Sequence, residues 1–283
     1  MESLIKDVIM DHLRESQIII PSQHGFLPGR SCTTNLIEYI GTITKALDDG
    51  QVFDAIMIDF KRAFDKVPFA KMLAQVKAHG IGGQILNWLE NWTKDRRQRV
   101  VLNGIESTWV EVLSSVVQGS VIGPILFLIY INGLDKQVAQ HDKDILISKY
   151  ADDTKLGRII KDLKDHASLQ QALDNLVLWC TEWGMEIHPD KCNVIHFGAK
   201  NPRRTYKIVP SIVQETREAR DLGVIIQENC SVTEHVQKIA HRAHVVLGQL
   251  KRATVLRDSS TFVKLYTSYV RPLLESAAPV WNP

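Results

Sequence analysis

Apolar residues recur at helical spacing at the start of the chain, where Leu4, Ile5, Val8, Ile9 and Leu13 predict a helix over residues 1–16. A loop follows from Pro21 to Arg30, broken by Pro28-Gly29. A second helix then runs through Leu36, Ile40, Ile43 and Leu47 and stops near Asp48-Asp49-Gly50. Val52 to Phe60 is short, apolar and bounded by turn signals, the pattern of a buried strand, with Asp59 near its end. Residues 70–93 read as helix on either side of Gly80-Ile81-Gly82-Gly83, and Arg99 to Leu113 alternates as a hairpin around Asn103-Gly104. Gln118-Gly119-Ser120 opens a helix that carries the apolar run Val121 to Ile131. Two β-like runs, Asp144 to Tyr150 and Thr154 to Ile160, are separated only by Ala151-Asp152-Asp153, so they predict a hairpin with acids at its tip. Leu169, Leu173, Leu176, Trp179, Cys180 and Trp183 share one face of a helix over 167–183. Strands follow at Asn193–Phe197 and Leu222–Ile226, and a last helix at 233–252. Hairpins and packed helices without regular βαβ alternation predict an α+β fold.

Composition narrows the class. With 45% hydrophobic residues over 283 positions and no Pro/Gly/Ser-rich tract, the chain can bury a real core and is not disordered. The four cysteines are too few and too scattered for a disulfide framework, which predicts reduced thiols and an intracellular protein, nuclear or cytoplasmic and not secreted. No signal peptide is visible, and the longest apolar run stops well short of the ~20 residues a membrane span needs. The formal charge of +2 alone points to no polyanionic partner. Its distribution is uneven, since residues 201–257 hold ten Lys/Arg, Arg257 the last of them, against five acids. Cys192 and His196 invite a zinc reading, yet along one strand they would stand about 13 Å apart, too far to share an ion. No zinc is expected.

The acids carry the chemistry. If the strand ending near Asp59 and the hairpin bearing Asp152 and Asp153 are neighbours in one sheet, three carboxylates converge at its edge. Carboxylate oxygens are hard ligands suited to Mg²⁺. Taken alone, Asp152-Asp153 reads better as a polar turn and Asp59 as a helix cap than as metal ligands.

Resemblance decides between these readings. Tyr150-Ala151-Asp152-Asp153 resembles the Tyr-X-Asp-Asp signature of reverse transcriptases, specifically those of non-LTR, LINE-type retrotransposons, with wording closest to the Jockey-like branch. Ile58-Asp59-Phe60-Lys61-Arg62-Ala63-Phe64-Asp65 is similar to that family's first catalytic motif. Gln118-Gly119-Ser120-Val121-Ile122-Gly123-Pro124 is similar to its Gln-Gly-Ser motif, and Gln23-His24-Gly25-Phe26 with Gly29-Arg30-Ser31 to an element of its fingers. Pro189-Asp190-Lys191-Cys192, Asp221-Leu222-Gly223-Val224 and Val270-Arg271-Pro272 continue the family's order. Val117 stands where the family usually has Pro, and Ser115 where Gly is common.

The resemblance implies a right-hand polymerase divided into partial fingers (1–51), palm (52–70), a fingers/palm connection (71–114), palm again (115–228) and the start of a thumb (229–283). It also implies a piece of a longer polyprotein. The implied activity is RNA-directed DNA synthesis, with an RNA template, a DNA primer and dNTPs as partners. The implied cofactor is a pair of Mg²⁺ ions, with Mn²⁺ as a substitute, held by Asp59, Asp152, Asp153 and the backbone carbonyl of Phe60. Arg30, Phe64, Gln118, Gly119 and Lys191 are implied around the incoming dNTP, Phe64 excluding a ribose 2′-hydroxyl. Tyr150, Leu222, Gly223, Lys238, Arg242, Lys251 and Arg252 are implied along the template–primer, the last four by phosphate contacts from the final helix. Two other readings remain open: a truncated relic that binds nucleic acid or protein without polymerising, and a two-metal nuclease. Phe64 and Gln118-Gly119-Ser120 argue against the nuclease, having no role in hydrolysis.

Overall fold

The computed structural model describes residues 1–254 and 258–282, so Arg257 of the basic segment lies outside the described residues. Helices α1 (Glu2–Glu15) and α2 (Cys32–Asp48) precede strand β1 (Phe53–Ile58), and α3 (Phe69–Ala78) and α4 (Gly83–Thr93) follow it. Four two-residue strands come next, β2 (Arg97–Gln98), β3 (Val101–Leu102), β4 (Ile105–Glu106) and β5 (Val110–Glu111). They form two successive antiparallel pairs, β2 with β5 and β3 with β4, the latter closed by Asn103-Gly104. The alternating run thus becomes a two-step ribbon with the predicted turn at its end.

The core elements are α5 (Gly123–Ile131), α6 (Leu134–Val138), β6 (Leu146–Tyr150), β7 (Asp153–Ile159), α7 (Leu163–Trp183) and β8 (Asn193–Phe197). Short strands β9 (Lys207–Ile208), β10 (Ser211–Ile212), β11 (Gln214–Glu215), β12 (Glu218–Asp221) and β13 (Val224–Gln227) lead to α8 (Thr233–Ala253), α9 (Ser259–Leu265), α10 (Arg271–Glu275) and α11 (Ala278–Trp281). The main sheet has the order β11-β8-β1-β7-β6, antiparallel except for the β11–β8 pair. This is the α+β organisation that the pattern predicts.

Helix α5 is apolar all round because every face is covered: Ile125 to Ile131 are all buried. It starts at Gly123, two residues into the apolar run that Gln118-Gly119-Ser120 is expected to open, because these residues form a turn instead. The Ser120 hydroxyl accepts from the Gly123 N–H at 3.1 Å and donates to the Val117 carbonyl. A Cβ on Gly123 would lie 2.5 Å from that hydroxyl and 2.8 Å from Val116, so only glycine fits. Helix α7 is fixed at both ends, by the Asp162 capping box and by Gly184 in the left-handed region. Its apolar face packs on the sheet through Leu169, Leu173, Leu176 and Trp179. At the other end of β1, buried Asp54 accepts from Tyr206 at 2.6 Å and Asn201 at 2.7 Å and pairs with His196 at 2.7 Å.

Candidate active site

Strand β1 is central, and its register with β7 ends at Ile58↔Thr154. One further step along that antiparallel register sets Asp59 beside Asp153. On the other side of β7, Tyr150 pairs with Asp153, so Ala151-Asp152 is a two-residue loop with Ala151 at φ 56°. The sheet therefore brings Asp59 to the same end of the strands as Asp152 and Asp153, although about ninety residues of chain separate it from them.

The loop is held from outside the hairpin. The Gln23 side chain is buried; its Oε1 accepts from the N–H of Ala151 (2.8 Å) and of Gly25 (2.7 Å), and its Nε2 donates to the Ala151 carbonyl (3.3 Å). Gly25 approaches so closely that an added Cβ would stand 2.4 Å from the Ala151 nitrogen. The Gln23–Gly25 segment itself adds to β6, with His24 N–H donating to the Lys149 carbonyl and Lys149 N–H to the Ser22 carbonyl, each at 2.9 Å. Lys149 is fully buried and salt-bridged to Asp135.

Phe60 bridges Ile187 through donation by Lys61 N–H to Glu186 and by His188 N–H to Asp59. In an antiparallel pair this pattern turns the carbonyl of Phe60 itself away from Ile187, toward the side where Asp152 and Asp153 lie. The buried Cys192 thiol accepts from Asp59 N–H at 3.4 Å.

Asp59 and Asp153 line a cleft of about 400 Å³ together with Lys191, Asn193, Arg220 and Leu222. Burial raises the Asp152 pKa, with the charge of Asp59 adding to it. Burial, then Asp152 and Asp221, raise Asp153 to about 6 even though its side chain reaches solvent. Crowded acids with raised pKa values are what a divalent cation would relieve, so the donor set fits such an ion. Among the described residues, no three His, Cys, Asp or Glu side chains are already drawn to metal-ligand spacing.

The raised pKa carries a prediction. Asp153 binds its proton more tightly folded than unfolded, so the stability it contributes is complete below about pH 4 and lost as pH rises through about 6. Asn mimics the protonated form. Without metal, Asp153→Asn should therefore stabilise the fold at pH 7.5 by about 1 kcal/mol, after discounting for solvent screening, and by less at pH 5. Urea melts in chelator at both pH values measure this, and an equal gap at both would contradict it.

The remaining expected residues divide. Lys191, exposed at the end of a turn of 3₁₀ helix, faces the cleft. Leu222 and Gly223 are not the start of a strand but the β12–β13 turn, at φ 45° and 94°, because the ladder closes at Asp221↔Val224. Leu222 reaches the cleft. Phe64 stacks on Phe127 at 4.3 Å and meets Phe26 edge-on at 6.2 Å, linking the Gly25 loop to α5. Arg30 is held in its own loop, donating to the Pro21 carbonyl at 2.6 Å and to His24 Nε2 at 2.8 Å, and does not line the carboxylate cleft. Burial and the Arg30 charge lower the His24 pKa, which suits a neutral ring accepting that bond.

Gln118 donates to Asp65 at 3.0 Å beside Gly119 at φ 80°. Tyr150 lies against Cys32 at the start of α2. On α8, Lys238 is paired with Glu234 and Glu218, whereas Arg242, Lys251 and Arg252 are exposed.

Residues the sequence did not single out complete the site. Buried Lys155, two positions past Asp153, donates to Asp221 at 2.5 Å and Asn35 at 2.7 Å and lies 4.4 Å over the Tyr39 ring. It joins α2, the acidic hairpin and the β12–β13 turn. Only the position of Lys155 beside the acids could have signalled it.

Comparison with known proteins then places the chain. The family model "Reverse transcriptase (RNA-dependent DNA polymerase)" matches residues 1–226. The chain is 26% identical over 294 residues to a probable RNA-directed DNA polymerase from transposon BS of Drosophila melanogaster, covering 99% of this chain and 31% of that protein. It is 25% identical over 292 residues to the RNA-directed DNA polymerase from mobile element jockey of Drosophila funebris, covering 100% and 32%. The chain thus spans about a third of the length of these curated relatives. Among solved structures, apo telomerase from Candida tropicalis superposes with TM-score 0.61 at 11% identity, over 98% of this chain and 50% of that one. A form truncated from its C-terminal domain gives 0.55 at 14% identity, over 80% and 44%. The fold is right-hand polymerase-like.

Proposed function

From the premise that this chain belongs to the reverse transcriptase family, within its non-LTR retrotransposon branch, we propose that it is the part that copies an RNA template by adding dNTPs to a DNA primer. The observation that carries this reading is the convergence of Asp59, Asp152 and Asp153 at one end of the central strands. A divalent metal is general to the family. Here two Mg²⁺ ions would be held by those carboxylates and the Phe60 carbonyl, and when bound they supply acidification of the primer 3′-hydroxyl and charge neutralisation at the leaving pyrophosphate.

The chain's own residues do the rest. Gln23 fixes the Asp152 loop, and Cys192 and His188 fix the backbone of Asp59. Lys191 places its ammonium beside the cleft, suited to the triphosphate or to a proton for the departing pyrophosphate. Phe64, pinned by Phe26 and Phe127, presents a fixed aromatic edge against a ribose 2′-hydroxyl. The Leu222-Gly223 turn faces the primer end. Arg242, Lys251 and Arg252 follow the template–primer backbone, and Lys238 anchors α8 to β12 through Glu218. Arg30 serves by ordering its loop. We place the activity inside the cell, in nucleus or cytoplasm.

The test is primer extension by the purified chain on a primed RNA template with dNTPs. Extension ordered by the template, dependent on Mg²⁺ or Mn²⁺ and stopped by chelator, is the expected result. Binding of the primed template without extension under either metal would favour the non-polymerising relic.

A further inference from the structure

At the end of the sheet opposite the carboxylates, a pocket of about 460 Å³ opens where the chain enters β1, leaves β7 and leaves β8. Val52 and Asp59 bracket β1, so at ~3.3 Å per strand residue this pocket stands about 23 Å from the carboxylates. Lys161, Lys200 and Arg204 line it, against the single carboxylate of Asp162. That carboxylate is spent on capping α7, accepting from the Lys164 N–H at 2.7 Å and the Asp165 N–H at 3.1 Å. None of the three cations takes part in an ion pair among the described residues, whereas neighbouring Arg158 and Arg203 are each committed to two carboxylates. Arg204 is half-buried, and its Nε is shut off from solvent with no hydrogen-bond partner. A buried donor without a protein acceptor points to a ligand that brings one. The backbone under these cations is fixed. Arg203 bridges Glu215 and Glu228 on one side of Arg204, and Tyr206 on the other donates to Asp54 at 2.6 Å. The Lys161 N–H is tied to the Asp165 carboxylate at 2.8 Å.

We propose that this pocket binds a compact phosphate dianion, inorganic or terminal on a nucleic-acid strand. Three cations and one carboxylate leave a net +2, which matches a phosphate group carrying close to two negative charges near neutral pH. Arg204 brings the planar fork that suits phosphate oxygens, and the two lysines bring point charges on flexible stems that adapt to it. The surroundings limit the ligand to that group. Asp48 and Asp49 end α2 just before Gly50 on the rim, so a phosphodiester strand running on in that direction meets like charge. Val52, Ile160 and Pro202 are the apolar part of the lining, and with no aromatic ring there among the described residues a base gains no stacking. The inference goes beyond the polymerase reading and does not depend on it, because the site lies at the far end of the strands from Asp59, Asp152 and Asp153.

Binding is measured in chelator and without dNTPs, so that no metal draws phosphate to the carboxylates. In isothermal titration calorimetry at pH 7.5 and a constant ionic strength of ~0.1 M, inorganic phosphate should bind the wild-type chain at one site. Lys161→Gln/Lys200→Gln should weaken that binding about tenfold or more, the size of a charge-assisted contact. Both lysine side chains are exposed, so the fold is not at stake in this variant. Arg204→Gln should weaken binding by as much. RNA hexamers labelled at the 3′ end and carrying a 5′-phosphate or a 5′-hydroxyl, compared by fluorescence anisotropy, separate the two sources. A gain of about tenfold from the 5′-phosphate, lost in the lysine variant and competed by inorganic phosphate, identifies a strand end. Equal binding of the two hexamers, alongside binding of inorganic phosphate, identifies the free anion. The proposal is overturned if inorganic phosphate does not bind the wild-type chain, or if the variants bind it as tightly. Failure of primer extension leaves each of these outcomes untouched, so the two readings fail separately.

Discussion

Asp152→Asn should reduce templated incorporation on the order of 10³-fold or more, equivalent to about 4 kcal/mol of transition-state stabilisation, while leaving the fold intact. The two halves of this expectation have different origins. The loop carrying Asp152 is shaped by the Tyr150↔Asp153 pair and by the Gln23 clamp on Ala151, neither of which uses the Asp152 carboxylate. Asn keeps the size of the side chain and removes one of the charges crowded against Asp59 and Asp153, so melting in chelator should be unchanged or slightly higher. Activity fails because a neutral amide is a poor ligand for a hard divalent cation and cannot balance its charge. An ordinary polar turn would show no such loss. A variant retaining more than about a tenth of wild-type incorporation, with unchanged melting, would remove Asp152 from the machinery.

Much of this site is visible in the chain before folding, for a physical reason. Strands β1, β6, β7 and β8 and helix α7 are long enough for their apolar periodicity to show, and the acids sit at the ends of those runs, where side chains leave the core. What the sequence hides is polar residues buried against partners far along the chain. Asp54 and Lys155 interrupt apolar runs and look like solvent-facing positions, yet the first is covered by His196 and Tyr206 and the second by Asp221, Asn35 and Tyr39. Gln23 finds Ala151 128 residues away, a distance over which periodicity carries no information. Leu222 misleads in the opposite sense. It is apolar and precedes an apolar strand, but the short β12–β13 ladder needs a tight turn there and puts it in the left-handed region.

The Lys155–Asp221 pair supplies the second large effect. Both side chains are nearly inaccessible to solvent, and burial holds the Lys155 pKa down against the raising influence of Asp221. Breaking such a pair from one side strands the other charge in the interior. Lys155→Met or Asp221→Leu alone should each destabilise the fold by about 3–5 kcal/mol, whereas the combined Lys155→Met/Asp221→Leu chain, with neither charge, should recover most of that loss. Urea unfolding of the four proteins as a double-mutant cycle gives the coupling directly. Additive losses would show that the two charges do not depend on each other. The recovered double variant then separates stability from positioning. Lys155 ties the Asp153 strand to the residue preceding the Leu222-Gly223 turn, so a folded chain without the tie should show a raised KM for primer-template and a smaller change in KM for dNTP. A double variant with wild-type values for both would confine the pair to holding the core together.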